Sequence, residues 1–410
     1  MSGHRTKTDL LRRRTLVLLA LATAVGSTGL AAGGTAGALL GAEIAGTEAA
    51  AGLPLGLLVV GSAAAALLVS RRTNSVGRGR SLALGYVLGL LGAAAVVAAA
   101  LADSLAALLV GSTLLGAGNV AVFLARYAAA EIGGAGTRGR ALGAVFFAAA
   151  VGSVLSPNLL GPSGEVAGAL GLPPLTGLYL VAILCFALAA LLLAAASRPG
   201  VPYLGGGAAL LGPAEQKTVT RSQIAAGLKT PAAQSALIIL AATNLVMVAV
   251  MAIAPVHLMV HGHELGLVGV IVSVHVTCMF VPSPISGWVA DRVGPKPVAA
   301  TGFFLLIVAG LAGAIIDQSG ALSMTAVLAV LGVGWNCGVV GGSTLLAASV
   351  PTTLRPRVEG LGEVAMGLAA GAGAPLAGVI VAFGGFTTLS LVGAATAVAA
   401  TMLALAFVRR

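Results

Sequence analysis

Apolar residues in this 410-residue chain gather in long runs, and the short breaks between them hold most of the charge. A helical run of about 20 residues spans the ~30 Å hydrocarbon core of a bilayer. Reading the runs against Gly, Pro and charged breakers predicts twelve such helices. They fall at about 15–40, 51–70, 81–102, 104–128, 140–161, 174–196, 234–260, 265–289, 297–317, 320–348, 360–383 and 386–408. The stretch 197–233, beginning "SRPGVPYLGGG", is rich in Gly, Pro and charge and parts six spans from six. The expected architecture is an all-α membrane protein with two six-helix halves, 1–196 and 234–410, and a cytoplasmic linker at 197–233. The first run follows "RTKTDLLRRR" without a clear cleavage signal and reads as a retained helix.

Composition adds exclusions. The chain is 58% hydrophobic and 8% charged, with a mean hydropathy of +1.06; a soluble surface and a disordered chain both need far more charge. With both termini inside, all 22 Lys and Arg fall on one side of the membrane. The other side carries Glu43, Glu48, Asp103, Glu165, Glu264 and Asp317. By the positive-inside rule, the net charge of +10 is a topology signal. It predicts a multi-pass protein of the cell's inner membrane with both termini cytoplasmic. The basic residues are scattered over short loops, which argues against a nucleic-acid partner. The three Cys (Cys185, Cys278, Cys337) lie in predicted spans and form no disulfide or zinc pattern. No phosphate-binding G-x-x-x-x-G-K-[ST] loop and no nucleophile–base pattern appears, so the chain reads as a carrier and not an enzyme, with no cofactor.

One loop carries a specific motif. "GWVADRVGPKPVAATG" at 287–302 resembles the G-x-x-x-D-R-x-G-R-[KR] signature of the major facilitator superfamily, matching at Gly287, Asp291, Arg292, Gly294 and Lys296. Pro295 replaces a usual basic residue. The companion copy between spans 2 and 3 reads "SRRTNSVGRGR". Aligned on Gly77, it has Asn74 in place of the acid and Ser75 in place of the Arg. The resemblance implies a cytoplasmic gate latch, expected here from Asp291, Arg292, Arg355, Arg357 and Glu359, since a carboxylate suits a helix N-terminus and a basic partner. The alternative is a set of solvated loop charges.

A facilitator fold does not name its cargo. Four of the eight Met (247, 251, 259, 279) and four of the five His (257, 261, 263, 275) lie within 247–279. Met247 and Met251 stand four apart in span 7, as do His275 and Met279 in span 8. Residues i and i+4 share a helical face. The spans run antiparallel through a turn near residue 263, so Met251 and His275 are expected at one depth and Met247 and Met279 at the next. These levels lie roughly 18 and 24 Å below the turn. Thioether and imidazole suit Cu(I) and serve hard cations poorly. Cys278, Cys337, Asn244 and Asn336 are possible secondary members; Asn119 and Asn158 are further polar residues in apolar spans. His257, Met259, His261, His263 and Glu264 form a possible outer capture site. Competing readings remain: Met as packing filler, and His275 as a proton carrier or bonded to a backbone carbonyl. Pro282 and Pro284 are expected to break span 8, and Pro255 span 7.

The paired M-x-x-x-M and H-x-x-x-M motifs resemble those of the CcoA-type copper importers. That resemblance implies copper uptake by alternating access through Met247, Met251, His275 and Met279. The related riboflavin-carrying branch, as the resemblance has it, lacks these pairs. The expected partners are a copper ion as substrate and the lipid bilayer, with the chain working as a monomer. The alternatives are a carrier or exporter of a small organic molecule (drug, metabolite or riboflavin-like) and a copper receptor that does not transport. Glu131, Glu359 and Glu363 are candidates for proton movement.

Overall fold

A computed structural model of the chain describes residues 2–30, 36–46, 53–134, 136–197, 219–316 and 319–408. Glu48, Asp317, Arg409 and Arg410, the linker residues 198–218 and the side chain of Asn158 lie outside the described residues.

Among those residues all regular structure is helical. The first part of the chain forms α1 (Ser2–Thr28), α2 (Gly37–Ala45), α3 (Leu53–Val76), α4 (Arg78–Leu101), α5 (Leu105–Gly133), α6 (Arg138–Asn158), α7 (Leu160–Ala169) and α8 (Gly177–Ala196). The remainder forms α9 (Arg221–Leu228), α10 (Pro231–Val260), α11 (Leu265–Phe280), α12 (Ser283–Val293), α13 (Pro295–Ile315), α14 (Ala321–Ser349) and α15 (Arg355–Val408). Ten stretches among the described residues are long and apolar enough to cross a bilayer. The last, Arg355–Phe407, has 53 residues, about twice what one crossing needs. With α1, the count reaches the twelve that hydropathy predicts.

Departures from the expected spans have local causes. Span 8 divides into α11 and α12 at Val281–Pro282, because Pro282 and Pro284 cannot donate the backbone bonds a continuous helix needs. Spans 11 and 12 were expected to part near residue 384. They do so at Gly385 (φ 69°, ψ −173°), where two helices meet at a kink within α15, in a conformation open to glycine. Two short helices were not expected. One is α7, which follows the end of α6 at Asn158. The other is α9 in the linker, started by a capping box in which Thr220 and Gln223 exchange side-chain-to-backbone bonds.

The chain divides into two compact units. Unit 1 comprises Met1–Ile132, Ala148–Val219 and Glu359–Val364; unit 2 comprises Gly133–Phe147, Thr220–Val358 and Ala365–Arg410. Each takes a short segment from the other half of the sequence. In unit 1, α8 packs on α1 and α4, with Tyr86 and Phe186 in ring contact at 5.8 Å. Unit 2 is built around α14, which packs on α10, α11 and α13. Its glycines permit this: Gly338 lies against Thr243 of α10, and Gly332 against His275, Cys278 and Met279 of α11.

Candidate functional site

Thr230 starts α10 by accepting from the Ala233 N–H, with Pro231 in the first turn where its missing donor costs nothing. Further on, Thr243 lies against Gly338, and Trp335 Nε1 donates to Asn244 Oδ1 at 3.0 Å. Met247 and Met251 follow Thr243 at i+4 and i+8, while Val246 and Val250 line a small cavity with Val327 and Leu331 of α14. Both are half-buried. Pro255 stands four residues after Met251 and has no N–H, which deprives the Met251 carbonyl of its helical bond.

His275 is 1% exposed. Its Nδ1–H donates to the Leu328 carbonyl of α14 at 2.7 Å, the backbone bond anticipated as one alternative. A neutral ring so held keeps its lone pair on Nε2. That nitrogen is buried and has no hydrogen-bond partner among the described residues. Met279 is also buried, and its carbonyl, freed by the helix break, accepts from Asn336 Nδ2 at 2.6 Å.

The third helix supplies a common ruler. Its contacts with α10 run antiparallel, with Thr243 opposite Gly338 and Ile239 and Leu240 opposite Gly342. Continued upward, that register brings Met247 level with Val333–Gly334 and Met251 level with Ala329–Val330. The α11 contacts run parallel, with His275 at Leu328 and Met279 between Gly332 and Asn336. Met251 and His275 therefore fall at one level of α14, and Met247 and Met279 about one turn away.

The secondary candidates have other occupations. Asn244 donates to the Met366 carbonyl at 2.9 Å and accepts from Trp335. Asn336 bonds Met279 O, Ser283 Oγ and Ser286 Oγ across the break in span 8. Both cross-link helices. Cys337 shares its face of α14 with Gly334 and Gly341, which meet Leu306 and Ala299 of α13. Cys278 lies against Gly332. In unit 1, Asn119 donates to Ser62 Oγ at 3.1 Å. Among the described residues, no three His, Cys, Asp or Glu converge, so the inner candidates depend on thioether donors.

The expected gate divides into two sites. Asp291 accepts from the Gly139 and Arg140 N–H groups at 2.7 and 2.9 Å, and from Arg140 Nε at 3.3 Å. These amides open α6 and lack carbonyl partners within it. The acid of the motif thus caps a helix, and Arg355, Arg357 and Glu359 are engaged elsewhere. Arg292 lies over the Trp288 ring at 4.6 Å. Arg355 donates to the Val350 carbonyl at 3.3 Å, and Arg357 is half-buried in the first turn of α15. Glu359, in unit 1, accepts from Arg78 Nη2 at 2.8 Å, while Arg78 Nε reaches Glu131 at 2.7 Å. One turn further along α15, Glu363 pairs with Arg126. Arg78 and Arg126, which the sequence offered only as topology markers, are buried ion-pair members. The available signal was the i, i+4 spacing of Glu359 and Glu363.

The description "Major Facilitator Superfamily" fits residues 236–410. The uncharacterized MFS-type transporter YddS of Bacillus subtilis (strain 168) is 34% identical over 393 residues, covering 95% of this chain and 89% of its own. This chain belongs to the major facilitator superfamily. The facilitator relatives include the riboflavin transporter RfnT of Brucella anthropi, 25% identical over 364 residues, covering 86% of this chain and 85% of its own. The fold also matches the human organic anion transporter MFSD10, with a TM-score of 0.74 at 15% identity, over 96% of this chain and 99% of that one. A facilitator of this fold is a multi-pass membrane transporter, and its substrate must be argued from the side chains.

Proposed function

We propose that this facilitator imports copper as Cu(I) by alternating access, through Met247, Met251, His275 and Met279. The observation that carries the reading is His275. Its Nδ1 is fixed on a backbone carbonyl and its Nε2 is buried without a partner among the described residues, an arrangement typical of imidazole ligands. The α14 register supports it, since a thioether stands at the same level on α10. Uncharged soft donors hold a monovalent soft ion without trapping it. The protein is read as an inner-membrane monomer with cytoplasmic termini, on the one-sided distribution of Lys and Arg.

A second reading, carriage of an organic solute such as riboflavin, is favoured by the similarity to RfnT. Accumulation of labelled copper and of labelled riboflavin, in cells with and without the chain, separates the two. In the same assay Met247→Leu keeps the apolar volume and removes the sulfur. Copper uptake should fall roughly tenfold or more, with membrane abundance of the protein unchanged. Uptake by Met247→Leu equal to the parent's would reduce Met247 to packing. Riboflavin accumulation without copper accumulation would establish the second reading. Copper binding without flux in proteoliposomes would leave a receptor.

A further inference from the structure

The end of α10 remote from α9 carries a second cluster of imidazoles. His257 and His261 occupy its last turn at i and i+4, with ring centroids 4.2 Å apart. His261 is the C-cap residue, and both its backbone N–H and its Nδ1 turn to the His257 carbonyl, at 3.2 and 2.8 Å. Since a carbonyl only accepts, Nδ1 carries the proton and Nε2 keeps the lone pair in the neutral ring. The other face of the pair is also fixed. His257 stacks on Phe386 at 4.6 Å and 26°, and Phe386 directly follows the Gly385 kink of α15. Both imidazoles are thus oriented before any ligand arrives.

We propose that His257 and His261 chelate one divalent transition-metal ion of borderline softness, of the Cu2+, Ni2+ or Zn2+ class, at the C-terminal end of α10. Two imidazoles at i and i+4 present nitrogens on one helix face, and rings this close let both reach a single ion at the ~2 Å of a metal–imidazole bond. The negative end of the helix dipole adds partial negative charge where the cation sits. Water completes the coordination. Met259 is excluded because it lies two residues from either His, on the far side of the helix, and is exposed. His263 contributes less than the sequence suggests, because its Nε2–H is donated to the Ser319 carbonyl at 2.7 Å. This site differs in kind from the Met and His set deeper in α10 and α11. Imidazole alone favours divalent ions, whereas thioether favours monovalent soft ions. No change of oxidation state is involved.

The test uses the full-length, untagged protein in nanodiscs, with Ni2+ measured by equilibrium dialysis and Cu2+ by electron paramagnetic resonance. The wild type should bind one Ni2+ per chain, and its Cu2+ spectrum should show coupling to two ring nitrogens. His261 is exposed, so His261→Gln should keep the fold, weaken Ni2+ binding by roughly tenfold or more, and leave coupling to one nitrogen. Met247→Leu should bind Ni2+ like the parent. Three results would overturn the site: no Ni2+ bound by the wild type, unchanged binding by His261→Gln, or loss of Ni2+ binding in Met247→Leu. None bears on copper uptake, which the Met247→Leu transport assay decides separately.

Discussion

Gly77 and Gly294 begin α4 and α13 with nearly the same backbone, φ/ψ of 89°/159° and 103°/160°, in the left-handed region that favours glycine. The interval between them relates much of the surrounding structure. It carries Asp291 back to Asn74, Arg138 forward to Arg355, and Gly143 forward to Gly360. Gly143 packs against Ser283 in unit 2, and Gly360 against Ser70 and Ala66 in unit 1, with Ala66 the counterpart of Ser283. The chemistry at matching places differs. Unit 2 uses one acid, in the last turn of α12, on the first amides of α6 and buries Phe146 among Phe280 and Trp335, at 5.8 and 6.2 Å. Unit 1 has Asn74 in the last turn of α3 and no acid there. Where unit 2 has Leu142 and Phe146, unit 1 has Glu359 and Glu363, held by Arg78 and Arg126. The same backbone frame thus supports a capped helix with an aromatic cluster in one unit and buried ion pairs in the other. Breaking a buried pair strands a charge at a cost of several kcal/mol, whereas Asp291, whose side chain is also only 5% exposed, meets neutral amides and one exposed Arg, a weaker charge–dipole attraction. The degraded motif in unit 1 is therefore accompanied by the stronger set of contacts.

The comparison breaks most visibly at Arg126. Its side chain is fully buried, lies 4.5 Å over the Tyr127 ring and pairs with Glu363. Arg126→Met should leave Glu363 as an uncompensated buried charge and destabilise the protein by about 3–5 kcal/mol. The measurement is thermal unfolding in detergent. Adding Glu363→Met should restore most of the loss, because an apolar pair removes the stranded charge and mimics the Phe146 solution of unit 2. If Arg126→Met unfolds at the parent's temperature, ion pairing is not what holds unit 1 here.

The legible part of the molecule was the part written in contiguous residues. Apolar runs and their basic flanks gave the spans, and Pro282 with Pro284 marked the break in α11–α12. The Gly384–Gly385 pair marked the parting of spans 11 and 12, which the chain makes at the Gly385 kink. At the candidate site, the i, i+4 spacing of Met247–Met251 and His275–Met279 was readable, but the Leu328 carbonyl that orients His275 was not. Backbone acceptors leave no mark in composition. Asp291 was recognisable as an acid with a task, yet its partners are amides of α6, which any residue supplies. Arg78 with Glu359 and Arg126 with Glu363 join positions 281 and 237 residues apart. No local pattern reports such pairs.

A sharper test lies within unit 1 itself. Arg78 holds two carboxylates, Glu359 at 1% exposure and Glu131 at 38%. Burial should decide their worth. Glu359→Gln should cost about 1.5–3 kcal/mol, the range for a hydrogen bond to a charged group. Glu131→Gln should cost under about 1 kcal/mol, because solvent screens it. Unfolding midpoints of the two variants give the order directly. Equal losses would mean that desolvation plays no part in these contacts.

Asp291 tests a capping charge instead of an ion pair. Its carboxylate touches two amides of α6 and an Arg140 side chain that is 53% exposed, so its charge works against a helix end and against a screened partner. Asp291→Asn keeps one carbonyl oxygen for the Gly139 N–H and loses the charge–dipole attraction, which reaches about 2 kcal/mol for a side chain as buried as this one, 5% exposed. Asp291→Ala loses both acceptors and should cost about 1–2 kcal/mol, as removal of a helix cap does. Asn74→Asp then asks whether the missing acid of unit 1 was ever needed. With Glu359 and Glu363 already neutralising Arg78 and Arg126, the added carboxylate finds only an exposed, solvent-screened neighbour such as Arg71 at i−3, and it should leave the unfolding midpoint within about 0.5 kcal/mol of the parent. A clear gain from Asn74→Asp would show that this position still works as an acid site, and that the ion pairs of α15 were added to the motif and did not replace it. A loss from Asp291→Asn as large as that from Arg126→Met would remove the difference between the two sets of contacts altogether.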